Sequence, residues 1–374
     1  MIIAVNTRLL LKGKLEGIGW FTLETLKRIT VNHPEHQFIF IFDRSYNESY
    51  IFSDNITPVV IGPPTRHPFL WYLWFDFQIP RVLKKYNVDL FLSPDGYLSR
   101  RTKVPQLAVI HDINFVHRPK DLPWLKAKYY NRFFPQFARI AKRIATVSFY
   151  SKEDITRSFK VDYDKIDVVY DGINQIFEPI SEENKIEVRK KYTNGEEYFL
   201  FVGALHPRKN VSGLLKAFDA FKSVSSSNMK LVIVGGEMHK TGEIFDVYDN
   251  LRYKDDVVFT GRVLTVDLHD IFGAALALTF IPFFEGFGIP VVEAMSAGIP
   301  VICSNTTSLP EVGGNAVIYA DPLKIDQITD AMLKLVDDKE LRLNLIANGY
   351  IQKDKFSWDE TARLLWMSIE RALQ

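Results

Sequence analysis

The sequence predicts an α/β fold of two doubly wound, Rossmann-like domains, and three observations support this. Short β-rich runs recur with helical stretches between them, the alternation expected of parallel sheets covered by helices. The runs fall into two groups, six and then five, parted near NQIFEPISEENK by a polar, acidic stretch. At 374 residues, with 47% hydrophobic, 13% aromatic and 24% charged side chains, the chain can fill two cores. Two such domains with a cleft between them are the natural reading.

The first group reads MIIAVN, QFIFIFD, DLFLSP, PQLAVIHD, RIATVS and KIDVVYDG. The opening MIIAVNTRLL has the character of a first strand and not of a signal peptide. The aromatic run HPFLWYLWFDFQIP reads either as a buried helix or as a surface that meets a membrane. The second group is YFLFVGAL, MKLVIVGG, DVVFTG, LALTFIP and IPVICS, with SVSSSN at 223–228 as a surface loop before MKLVIVGG. No run reaches the roughly 18 uncharged apolar residues of a spanning helix. The longest, Ile271 to Phe284, is interrupted by Gly273 and Pro282.

Net charge is +1, but it is unevenly spread. Residues 1–173 hold 25 Lys and Arg against 17 Asp and Glu, a balance of +8, and residues 174–374 hold 21 against 28, a balance of −7. A basic first half suits an anionic acceptor or an anionic membrane surface, and a dispersed excess on a solvated face would look the same. The single cysteine, Cys303, excludes an intramolecular disulfide framework and a Cys-rich zinc site, fits a reducing cytosol, and reads as a small buried residue.

Ligands of open α/β sheets bind at the carboxyl ends of strands, so the loops that follow the strands are where chemistry is expected. After LALTFIP comes FFEGFG, then Pro290 where a first helical position favours it, then Gly298 and Pro300 closing that helix. Gly286 and Gly288 let the backbone approach a ligand closely, and the amides of Phe287, Gly288 and Ile289 would face it from a helix N-terminus, an arrangement suited to phosphate. Glu285 and Glu293 then stand around a phosphate site, where carboxylates want hydroxyl donors such as sugars supply. The plainer reading leaves Glu285 on a loop and Glu293 beside a helix dipole. In FVGALHPRKN a strand ends at Gly203, and Arg208 and Lys209 precede a helix starting about Val211, a cation pair suited to a diphosphate.

RKN after the FVG strand, followed by EGFGIPVVEAMSAGIPVICS, resembles the retaining glycosyltransferases of family 4, which have the GT-B fold, and the likeness runs over essentially the whole chain. The resemblance implies an acceptor-side domain at 1–173, joined by a C-terminal helix at about 357–374 (FSWDETARLLWMSIERAL), and a nucleotide-sugar domain at 174–356. It assigns Glu285 to donor-sugar hydroxyls, Glu293 to the ribose, Arg208 and Lys209 to the diphosphate, and Gly261, Arg262, Val263 and Leu264 to the surroundings of the base. Gly17 and Gly19, in GIG, resemble the family's glycine loop, and His111, in VIHDI, falls where the family has a residue near the reacting carbon. His111, Glu285, Arg208 and Lys209 are thus the expected catalytic set. YDGIN has Asp171 where the family usually has asparagine before the glycine.

The implied reaction moves a hexose, with retention, from a nucleotide-diphosphate sugar to a glycan or lipid-linked glycan in polysaccharide biosynthesis. VIHDINFVHRP and FVGALHPRKN are similar to mannosyltransferases, so GDP-mannose is the preferred donor, with a UDP-sugar as the other choice. No metal or other cofactor is expected, because two cations and a helix N-terminus can balance the leaving diphosphate. The expected location is cytoplasmic, at most peripheral to an anionic membrane. A nucleotide-sugar-binding protein of the same fold without turnover is the alternative.

Other classes fit less well. A nicotinamide dehydrogenase could use Asp43 after QFIFIFD, but the loop after MIIAVN lacks G-x-G-x-x-G. A metal-dependent transferase could use DYD at 162–164, which reads better as turn or cap acids. No G-x-S-x-G elbow occurs, and His111 and His117 lack supporting cysteines for zinc. A net charge of +1 without a reading motif argues against nucleic acid.

Overall fold

The computed structural model describes residues 1–13, 15–238 and 241–374. The chain forms two compact units, Met1–Gly172 with Ser357–Gln374, and Ile173–Phe356. Each is a parallel sheet with helices on its faces, the α/β architecture expected from the sequence.

The first sheet contains β1 (Ile2–Asn6), β2 (Gln37–Phe42), β3 (Ile56–Val60), β4 (Leu90–Ser93), β5 (Gln106–Val109), β6 (Arg143–Thr146) and β7 (Ile166–Val168). Its order is β3-β2-β1-β4-β5-β6-β7. The central strands are continuous runs of buried Val, Ile, Leu and Phe, as a sheet covered on both faces requires. The strand β3 is absent from the sequence reading because it is an edge strand carrying Pro58 at its centre, which weakens any strand signal.

HPFLWYLWFDFQIP resolves into helix Pro68–Leu73, a π-helical turn Trp74–Gln78 and helix Ile79–Lys85. Trp71, Trp74, Phe75 and Ile79 are buried in the core. Of its apolar residues Phe69 is well exposed, so this run is mainly core and gives little support to a membrane surface.

The C-terminal helix Trp358–Leu373 belongs to the first unit and packs against helix Gly17–Asn32. Ser357 caps it by accepting from the Glu360 amide at 3.1 Å, in the Ser-x-x-Glu arrangement of a capping box. Thr361 Oγ1 donates to the Tyr170 carbonyl at 2.7 Å, and Ser368 and Arg371 both donate to Asp167, at 2.6 and 2.7 Å. At Gly172 a Cβ would fall on the Trp358 backbone nitrogen, so only glycine lets the helix start pack this closely.

The second sheet contains β8 (Tyr198–Val202), β9 (Lys230–Val234), β10 (Val257–Gly261), β11 (Ala277–Phe280), β12 (Val301–Ser304) and β13 (Ile318–Ala320). Its order is β10-β9-β8-β11-β12-β13. The sequence reading lacks β13, a three-residue edge strand. Cys303 is fully buried in β12. No described helix is long and apolar enough to cross a membrane.

Candidate active site

In the second sheet β8, β9 and β10 step one way and β11, β12 and β13 the other, so the winding reverses between β8 and β11. Loops at such a reversal diverge at the carboxyl edge and leave a crevice for a ligand. The two loops there are the ones the sequence marks, Gly203–Asn210 after β8 and Ile281–Gly288 after β11.

The first loop ends in a 3₁₀ turn, Pro207–Lys209, capped by His206, whose Nδ1 accepts from the Arg208 amide at 3.2 Å. Asn210 follows with φ +57, and its buried amide donates to the carbonyls of Ile281 at 3.1 Å and Pro322 at 2.8 Å. That pins the start of helix Val211–Val224 to the second loop. The Phe283 amide donates to the Arg208 carbonyl at 2.9 Å, and Arg208 Nη1 donates to the Phe284 carbonyl at 2.8 Å.

Glu285 meets both cations through one oxygen. Its Oε1 lies 2.8 Å from Arg208 Nη1 and 2.6 Å from Lys209 Nζ. Burial alone would raise this carboxyl, but Arg208 and Lys209 outweigh it and hold Glu285 below the usual carboxylate range. Lys209 also lies over the Phe280 ring, 4.9 Å from its centre. The sequence reading gave Glu285 to a sugar and the cations to a diphosphate, whereas in this structure the three are paired with one another. The carboxylate thus holds the two positive charges together at the strand reversal.

The rest of the loop is anchored from behind. Thr307 Oγ1 accepts from the Glu285 amide at 3.2 Å, and Ser308 Oγ reaches the carbonyls of Glu285 and Phe287 at 3.0 and 2.9 Å. Gly286 and Phe287 are buried, and the Phe287 ring stands edge-on to Phe356 at 5.2 Å. Gly288 has φ +117, and a Cβ there would come within 2.5 Å of Leu309 Cδ2, so both conformation and space demand glycine. Helix Ile289–Ser296 starts immediately after it, with Pro290 in its first turn, and its first amides have no partners within the helix. Glu293 projects from this helix without a hydrogen-bond or ion-pair partner among the described residues, and burial pushes its carboxyl up to about 8.

Gly203 sits against the loop after β9, for a Cβ on Gly235 would fall on the Gly203 carbonyl oxygen. Arg262, after Gly261 at the end of β10, lies over Gly236, where a Cβ would meet its Nε at 2.8 Å. Val263 and the exposed Leu264 lead into helix Thr265–Ala274. The structure therefore gathers Gly203, Arg208, Lys209 and Glu285–Ile289 at the reversal, and puts Arg262, Val263 and Leu264 at the β10 end of the same carboxyl edge.

The other named residues are in the first unit. Its winding reverses between β1 and β4. Asn6 Nδ2 donates to Asp95 Oδ1 at 2.7 Å and to Ser93 Oγ at 3.1 Å, and Arg8 Nε meets Asp95 Oδ2 at 2.6 Å. The Arg8 guanidinium also lies over Tyr97 at 4.5 Å and donates to Thr65 Oγ1 at 3.0 Å. Sequence reasoning missed this buried network, as it missed Asn210, Thr307 and Ser308; the faint signal was polar residues directly after the β-runs, in AVNTR and FLSPD.

His111 follows β5, and its Nε2 lies 2.9 Å from the Pro94 carbonyl. A carbonyl only accepts, so Nε2 carries the proton and the neutral ring offers Nδ1 as an acceptor. Burial lowers the pKa of this imidazole against the opposing pull of the Pro94 carbonyl, which favours that neutral form. Gly17 and Gly19 are not in a loop: they open helix Gly17–Asn32, where Gly19 packs so that a Cβ would meet Leu15 at 3.1 Å and the Leu9 carbonyl at 3.2 Å. Asp171 is buried, its Oδ1 has no partner among the described residues, and desolvation pushes its carboxyl up to about 7.

The rival sites are occupied by structure. The Asp43 carboxylate accepts from the Thr65 amide and hydroxyl, both at 2.6 Å, and from Arg44. Asp162 caps the turn Tyr163–Lys165, and His117 is held by Asp154 at 2.8 Å.

Comparison with known proteins agrees with this fold. The profile of Glycosyltransferase Family 4 matches residues 22–175, and that of Glycosyl transferases group 1 matches residues 182–352. The O-antigen chain mannosyltransferase B of Escherichia coli is 28% identical, over 93% of this chain and 94% of its own. The O-antigen chain mannosyltransferase RfbU of Salmonella typhimurium is 29% identical, over 68% and 67%. Among solved structures, Anabaena Alr3699/HepE in complex with UDP-glucose superposes with a TM-score of 0.77 at 15% identity, covering 99% of both chains. With one profile on each unit and a parallel, doubly wound sheet in each, the chain belongs to the family 4, group 1 glycosyltransferases of the GT-B fold.

Proposed function

We propose that this glycosyltransferase moves a hexose from a nucleotide-diphosphate sugar to a glycan or lipid-linked glycan acceptor of the O-antigen kind, with retention at the anomeric carbon. The observation that carries the reading is the pairing of Arg208 and Lys209 with Glu285 beside the start of helix Ile289–Ser296, at the reversal of the second sheet. A diphosphate entering there exchanges its charge for that of the carboxylate, and Glu285 is released toward the sugar hydroxyls. The unpartnered Glu293 takes the ribose. Two named relatives are O-antigen chain mannosyltransferases, which favours mannose and, with it, GDP-mannose as donor.

Charge that grows on the leaving diphosphate is met by Arg208, Lys209 and the amides at the helix start, so turnover requires no divalent metal. The leaving phosphate oxygen takes the proton of the attacking acceptor hydroxyl. The basic first half suits peripheral contact with an anionic membrane where a lipid-linked acceptor lies. The test is transfer from GDP-mannose to a lipid-linked acceptor in EDTA, with the product followed by NMR. Retention with activity intact supports the reading. An inverted product, or activity lost in EDTA and restored by Mg²⁺ or Mn²⁺, overturns the respective part.

A further inference from the structure

The turn joining helix Gly17–Asn32 to β2, in the first unit, gathers His33, Glu35 and His36, whose ligand atoms all lie within 4.8 Å of one another. Glu35 Oε1 stands 3.2 Å from His36 Nε2 and 3.7 Å from His33 Nδ1. A tetrahedral ion with bonds of about 2.0–2.1 Å separates its ligands by about 3.3 Å, so the two distances from Glu35 are already close to that spacing and the third is within 4.8 Å. We propose that His33, Glu35 and His36 bind one borderline divalent transition-metal ion, of the Zn²⁺ or Cu²⁺ class, with water completing the coordination.

The turn is held in shape before any ion arrives. The His36 amide donates to the His33 carbonyl at 3.2 Å, closing the HPEH turn. Asn55 Nδ2 lies 3.0, 3.2 and 3.0 Å from the carbonyls of Thr30, His33 and His36. The His33 ring is stacked on Trp366 of the C-terminal helix, centroids 3.6 Å apart and planes 15° from parallel, and the His36 ring lies 5.2 Å from the same indole. Ligands fixed by packing and outer hydrogen bonds lose little freedom on binding. Glu35 is exposed, which gives an ion a path from solvent. The Met1 amino group lies 3.4 Å from Nδ1 of His36, so an ion on Nε2 moves the ring proton to Nδ1 and displaces that contact.

Two imidazoles and one carboxylate match Zn²⁺ and Cu²⁺ better than Ca²⁺ or Mg²⁺, which prefer oxygen shells. An ion here clips the turn and, through the His33–Trp366 stack, braces the C-terminal helix. This role is independent of sugar transfer.

The test uses the full chain without a tag, stripped with EDTA and dialysed. Calorimetric titration with ZnCl₂ is expected to show one saturable site, weakened by about tenfold or more in His36→Gln and in Glu35→Gln. CuCl₂ is expected to quench a fluorescence component that is missing in Trp366→Phe. Circular dichroism and the melting temperature of each stripped variant check that it folds. Absence of saturable binding, or binding unchanged in both ligand variants, overturns the proposal and leaves the cluster as an ion pair; MgCl₂ binding equally well also overturns it.

Discussion

Lys209 Nζ stands 2.6 Å from Glu285 Oε1, and the two residues are 76 positions apart in the chain. The pair joins the loops after β8 and β11 and sets the electrostatics of the candidate site.

On the proposed function, replacing Lys209 with Ala removes one of the two cations set against a leaving diphosphate. Turnover is expected to fall by on the order of 10²-fold, like the loss of an oxyanion donor. Steady-state kinetics checks this; a fall in affinity at unchanged turnover would place Lys209 in ground-state binding only.

Glu285→Gln frees both cations from their carboxylate. Affinity for the bare nucleotide diphosphate is expected to rise a few-fold while sugar transfer falls by about 10²-fold, because the lost charge competes with phosphate but serves the sugar. Titration calorimetry with GDP beside a transfer assay separates the two effects. Equal losses in both would contradict the exchange of charge.

Glu293 titrates near 8 in the free protein. Ribose hydroxyls donate best to the ionised form, so binding lowers that pKa, and affinity for GDP-mannose should climb between about pH 6 and 8 and then level off. Glu293→Gln should flatten the curve. An unchanged pH dependence in the variant would remove Glu293 from the nucleotide site.

Asp171 has its folded pKa raised from 3.8 to about 7 by burial. The folded state therefore binds the extra proton between those values, and its contribution to stability is lost as pH rises from about 4 to 7. By the shift this amounts to at most about 4 kcal/mol. Asp171→Asn is expected to be more stable than the wild type at pH 7 and to match it near pH 4. Melting curves across pH decide it, with equal slopes in both proteins as the contrary result.

Gly172→Ala puts a methyl group on the Trp358 backbone. The start of the C-terminal helix must shift, at a cost of about 3 kcal/mol. A lower melting temperature with unchanged nucleotide affinity is expected, because Gly172 lies in the first unit and the candidate nucleotide site in the second.

The sequence reveals a good deal of this architecture, because buried parallel strands are continuous apolar runs and Gly288 with Pro290 spells a turn entering a helix. It does not show β3 and β13, which are edge strands, one carrying Pro58 and the other three residues long. GIG looks like a loop in sequence because glycine discourages helix, yet Gly19 is chosen for close packing inside one. The aromatic run around Trp71 and Trp74 could not be assigned to core or surface until its neighbours were placed. Pairings were hidden for the same reason: Arg8 with Asp95 and Arg208 with Glu285 join residues far apart in sequence, and adjacency in space is a property of strand order.

In the proposed function Arg208, Lys209 and the loop from Glu285 to Ile289 hold the diphosphate of a nucleotide sugar. The direct measurement is the melting temperature of the wild type and of Lys209→Ala over a concentration series of GDP-mannose, GDP, UDP-glucose and UDP. A ligand at a hundred times its dissociation constant stabilises the folded state by about 2.7 kcal/mol. A saturable upward shift with GDP-mannose and GDP is expected in the wild type, reduced at equal concentration in Lys209→Ala. No shift with any of the four ligands, or the same shift in both proteins, would contradict it.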